Sequence, residues 1–168
     1  MISDRAKRAR NPHSEPPGGE ESRPLSVALP GTWQLVSRTD VNAAGDVVPE
    51  SSLGSDPVAL LIYDRSGHFS AQFMKRNRTE EQGDDGARAG ANNTRARGGY
   101  DAYFGSYSID DRNGTITQTL VGALSPENVG HRVTRTMLVS GDTLTIRLTT
   151  TTADGQEVLR TLLWKRVG

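Results

Sequence analysis

The sequence predicts an all-β fold: an eight-stranded antiparallel up-and-down barrel behind a disordered N-terminal tail. Three observations carry this. Eight strand-like segments follow one another between Gly31 and Val167 with almost no helical periodicity. The last three connections are short, which gives a meander rather than a Greek key. The first strand opens with Gly31-Thr32-Trp33. A barrel of eight strands either fills with its own side chains or holds one small ligand.

The elements follow in order. Residues 1–28 are rich in Pro, Gly, Glu, Ser and Arg and read as a disordered tail, leaving 29–168 as the barrel domain. Lys7, Arg8 and Arg10 cluster there and read as solvated charge. Strand one spans about Thr32 to Thr39, with Trp33 and Leu35 on one face and Gln34 and Arg38 on the other. Residues 42–56 form a loop in which Val47 and Val48 make a short strand or a lid. Strand two, Val58 to Tyr63, is apolar on both faces, so its outer side is expected to be covered. The turn Asp64-Arg65-Ser66-Gly67 leads into strand three, His68 to Met74. There Phe69, Ala71 and Phe73 alternate with His68, Ser70, Gln72 and Met74.

A long break follows from Lys75 to Gly99, with disorder expected at 82–90 and a short helical turn near its end. Strand four is about Tyr103 to Ile109, strand five Thr115 to Leu124 after an Asn113-Gly114 turn, and strand six His131 to Val139. Strand seven, Thr143 to Thr150, and strand eight, Val158 to Arg166, complete the meander.

Composition removes several functions. Twenty Lys and Arg balance 20 Asp and Glu, so the chain lacks the field that draws nucleic acid. There is no Cys, so neither a disulfide nor a thiolate metal site is available. No apolar run is long enough for a membrane helix, and the basic N-terminus lacks the apolar stretch of a signal peptide. The expectation is a soluble cytoplasmic protein, monomeric or weakly dimeric, with no nucleic-acid or membrane partner. Three His without a ligand spacing make a metal site unexpected, and no cofactor motif is found.

Four segments stand in order across Gly31 to Val167: Gly31-Thr32-Trp33, Leu61 to Gly67 (LIYDRSG), Tyr100 to Tyr107 (YDAYFGSY) and Leu163 to Val167 (LWKRV). Together they resemble the lipocalin-like domain family of bacteria and fungi. The resemblance implies a calycin-type barrel with a binding cavity and hints at enzymes, since related barrels occur beside natural-product pathways. It also implies that Trp33 sits at the closed end with Arg166 packed on its ring, a cation–π contact of about 0.5–2 kcal/mol. The segment before Tyr100 is more helix-like in relatives than the Gly-, Arg- and Asn-rich residues here.

Six residues are cavity candidates. Tyr103 and Tyr107 share a strand face with Gly105, which either leaves room for a ligand or marks a bulge. They are either ordinary core or a cavity wall with a phenol turned to the ligand. Arg135 shares a face with Val133 and Met137 and matches a recurrent Arg of the family. It either meets solvent or, facing inward, needs an anion, and no carboxylate of obvious register answers it. His68 shares a face with Gln72 and Met74 in what reads as a polar wall, although its place beside a turn favours rim exposure. The first functional reading is a carrier or sensor for an apolar or amphipathic metabolite. The alternative is a cofactor-independent isomerase or cyclase of secondary metabolism. A third is an interaction module using the two-sided apolar strands.

Overall fold

The computed structural model describes residues 23–79, 90–152 and 154–168. The expectations for residues 1–22 and most of those for 82–90 lie outside this set. Eight antiparallel strands close into one barrel in sequence order: β1 Gly31–Val41, β2 Val58–Tyr63, β3 His68–Met74, β4 Tyr100–Asp110, β5 Thr115–Ala123, β6 Arg132–Ser140, β7 Thr143–Thr151 and β8 Glu157–Arg166. Closure is made by β1 against β8, from Trp33 opposite Arg166 to Val41 opposite Leu159. Each strand alternates between a buried inner face and a wetter outer one, because side chains one residue apart point to opposite sides of a sheet. No described helix is long and apolar enough to cross a membrane.

The last residues of the expected tail are ordered. Leu25–Ala28 forms one helical turn, α1, and Leu25 and Leu29 are buried against the barrel floor. The apolar side chains of this turn join the barrel core. Trp33 is fully buried above this turn, and its indole Nε1 donates to the Leu29 carbonyl at 3.0 Å. The Arg166 guanidinium lies 4.1 Å from the Trp33 ring centroid and donates to the Pro30 and Ala28 carbonyls at 2.9 and 2.6 Å. Gly31 leaves the space for it: a Cβ there would stand 2.2 Å from Arg166 Nη1.

Other expectations change. Val47 makes one bridge to Val41 and is exposed, so it is neither a strand nor a lid. Val58, Leu60 and Ile62 keep partly exposed outer faces that no described element covers. Residues 90–99 contain turns but no helix. Instead, Thr94 and Ala96 dip into the barrel mouth and are buried.

The main departure is in β1. Its register against β8 shifts between Leu35 and Ser37, a β-bulge. One extra residue reverses the alternation beyond it. Trp33 therefore points inward before the bulge, and Arg38 and Asp40 point inward after it. The expectation that Arg38 lies opposite the Trp33 face is overturned by this single insertion.

Candidate functional site

The barrel is not packed solid. Between the mouth and mid-height it leaves about 60 Å³ open to the centre of a water molecule. One water needs about 10–15 Å³ on that measure. Leu61, Phe73, Met137, Ile146, Leu148 and Leu162 supply apolar walls. A continuous aromatic series lies along one side, from Tyr103 stacked on Phe73 at 6.4 Å to Phe73 against Trp164 at 5.7 Å.

Three arginines face this interior, from three different strands. Arg160 of β8 meets Asp40 of β1 in a buried bidentate pair, with both bonds at 2.7 Å. Arg38 of β1 donates to Glu50 at 3.1 Å. Burial works against the Glu50 charge, but Arg38 and the Ser52 and Leu53 donors hold its pKa below the usual range. Those donors also fix Leu53 and Ser52 on the cavity wall. Arg135 of β6 has no carboxylate in contact among the described residues. Its Nη1 donates to the Asn92 backbone oxygen at 2.7 Å and to Asn92 Oδ1 at 2.9 Å. Burial lowers its pKa.

Asn92 also repairs the barrel wall. Between β6 and β7 the ladder runs only from Thr136 to Ser140. Beyond it, Thr134 N–H donates to Asn92 Oδ1 and Asn92 Nδ2 donates to the Thr134 carbonyl, both at 3.0 Å. A side-chain amide stands where a neighbouring strand's peptide would be.

Asp101, at the start of β4, puts a carboxyl group on the cavity and is 3% exposed. The Thr94 hydroxyl donates to its Oδ2 at 2.6 Å. Its Oδ1 has no hydrogen-bond partner among the described residues. Burial drives its pKa up to about 7, and Thr94, the Ala102 N–H and Arg38 offset only part of that. Arg38 Nε and Trp164 Nε1 are likewise buried without a partner among the described residues, and both residues line the same cavity.

Of the six residues proposed from sequence, Tyr103, Arg135 and Met137 line this space together. Tyr107 shares their inward parity but lies lower. Its hydroxyl donates to the Asp64 carbonyl at 2.5 Å, and its ring packs edge-on against Tyr63 at 5.0 Å. Gly105 marks a bulge, since register shifts there and a Cβ would meet the Thr119 carbonyl at 1.9 Å. His68 and Gln72 do not reach the cavity. Phe69, Ala71 and Phe73 take the inner face of β3, which sends His68 and Gln72 to the outside. The polar-wall reading of β3 fails because the apolar face is the one the barrel buries. Arg38, Asp40, Glu50, Asp101 and Arg160 were not found from sequence. Among the described residues no group of three His, Cys, Asp or Glu side chains is placed to hold a metal ion.

A closed eight-stranded meander with a Trp–Arg floor and a partly polar interior invites comparison with known families. The family model for the lipocalin-like domain matches residues 30–167. The chain belongs to the lipocalin-like domain family. No curated protein matches it. Membership and fold together support a ligand-binding barrel in general terms. In this lipocalin-like barrel the groups able to recognise a ligand lie on the mouth side of the aromatic series, not at the floor.

Proposed function

We propose that this lipocalin-like barrel is a cytoplasmic carrier or sensor for a small amphipathic molecule, bound as one copy per chain. The observation that carries the reading is Arg135: an inward guanidinium between Val133 and Met137 on the inner face of β6, with no carboxylate against it among the described residues. Asp40 and Glu50 are engaged by Arg160 and Arg38. A buried cation in such surroundings favours a ligand with an acidic or strongly accepting end. Apolar burial at about 25 cal/mol per Å² supplies the affinity, and the guanidinium fixes orientation.

Two dyes test this. Anilinonaphthalene sulfonate is anionic, and phenylnaphthylamine is its neutral relative. Fluorescence titration is expected to show one site per chain for both. Arg135→Gln is expected to weaken the anionic dye by about tenfold, the value of one charge-assisted hydrogen bond, and to leave the neutral dye within about twofold. A barrel that takes up neither dye ends the carrier reading.

A further inference from the structure

Three residues that line the cavity, Asp101 near the mouth, Arg38 at mid-height and Trp164 just above the floor, carry buried polar atoms that no described group meets. Asp101 Oδ1, Arg38 Nε and Trp164 Nε1 are each buried and have no hydrogen-bond partner among the described residues. All three residues line one space. They are also neighbours through the sheet. Asp101 stands opposite Phe73 in the β3–β4 ladder, Phe73 packs edge-on against Trp164, and Arg38 acts electrostatically on Asp101.

Leaving one such atom bare costs about 1–3 kcal/mol. A fold that simply needed neutrality here had an easier arrangement, with Asp101 bonded to a nearby arginine in the way that Asp40 is bonded to Arg160. Instead, Asp101 is anchored by the uncharged Thr94 hydroxyl on one oxygen, and its other oxygen meets no described group. One carboxyl oxygen and two N–H donors around one cavity are the parts of a proton-transfer site.

We infer that the cavity is a proton-transfer site for an enolisable carbonyl compound, with Asp101 as acid–base group and Arg38 and Trp164 as donors to the carbonyl oxygen. The carboxylate takes a proton from the carbon beside the carbonyl. The C–H electron pair becomes a carbon–carbon double bond, and the carbonyl oxygen becomes an enolate held by the two N–H groups. Returning the proton to the same carbon gives exchange. Returning it to a conjugated carbon shifts the double bond. Nothing is consumed, so no co-reactant is required. An Asp101 pKa of about 7 suits both directions near neutrality. The titratable and charged groups sharing the cavity with Asp101 or acting on those that do are Arg38, Asp40 and Glu50 from β1 and its following loop, Tyr63 from β2, Tyr103 from β4, Arg135 from β6 and Arg160 from β8.

The test is α-hydrogen exchange of β-tetralone in heavy water, followed by proton NMR, with the full chain. Wild type is expected to accelerate exchange, with a rate that rises with pH and inflects near 7. Asp101→Asn keeps the shape and the Thr94 contact, and is expected to remove about 100-fold or more. Trp164→Phe removes only the N–H donor and part of the ring, and is expected to slow exchange by roughly tenfold to 100-fold. Thermal melts by circular dichroism check that both variants fold, and displacement of phenylnaphthylamine reports ketone binding. If β-tetralone displaces the dye but exchanges no faster than with Asp101→Asn, the proton-transfer role is overturned and the carrier reading stands. If neither ketone nor dye enters, both fall.

Discussion

The floor of this barrel and the cavity above it use the same residue types in opposite ways. At the floor, Trp33 donates its indole N–H to Leu29, and Arg166 donates to two backbone carbonyls while lying over the Trp33 ring. In the cavity above it, the indole N–H of Trp164 and the Nε of Arg38 meet nothing among the described residues. Both tryptophans are buried, so exposure does not separate them. The difference is whether the polar atom is used by the chain itself. At the floor the tryptophan–arginine pair is consumed in closing the barrel, and in the cavity comparable groups are left without a partner among the described residues.

Substitutions sharpen the contrast. Trp33→Ala carries the largest expected effect, a loss of about 3–5 kcal/mol in urea unfolding, because it opens a large cavity and uncovers Arg166. Overlapping unfolding curves for mutant and wild type would remove Trp33 from the closing structure.

A pH series probes the mouth. Unfolded, Asp101 ionises near 3.9. Folded, its pKa is raised to about 7. Between those values the native state keeps a proton that the unfolded state has lost. Stability from this group is therefore fully present below about pH 4 and falls as pH rises to about 7, by roughly 3–4 kcal/mol in all. Asp101→Asn is expected to flatten that part of the profile. Parallel wild-type and mutant profiles would show that the carboxyl is not held protonated.

The smallest effect is the most diagnostic. Trp33→Phe and Trp164→Phe remove similar ring volume. Only the first breaks a hydrogen bond and strands a buried carbonyl, so it is expected to cost about 1–3 kcal/mol more. Equal costs in paired chemical melts would erase the distinction between floor and cavity.

Most of the barrel was legible because period-two alternation survives in most of its strands. Parity put Arg135 and Met137 on one face but left open whether that face turns inward, and β2 and β3 match their sequence boundaries. The charged part of the site was not. Arg38 read as outward because nothing in Leu35-Val36-Ser37 announces an extra residue in the ladder. Asp101 was missed because β4 begins at Tyr100 rather than Tyr103. The contact between Asn92 and Thr134 joins residues 42 apart across a loop and leaves no local pattern. His68 and Gln72 were misplaced by giving a polar face of β3 to the interior, when burial of Phe69 and Phe73 decides which face turns in. Position along a strand is written locally, whereas the inner or outer sense of a residue depends on every irregularity between it and the last fixed point.

The bulge between Leu35 and Ser37 has a further consequence for how this chain tolerates change. Removing one residue there would turn Asp40 to the outer surface and leave the Arg160 guanidinium inside without its counter-ion, a rupture of about 3–5 kcal/mol. The length of the first strand is therefore policed by charge rather than by shape. A one-residue deletion there would also carry Arg38 out of the cavity and away from Glu50.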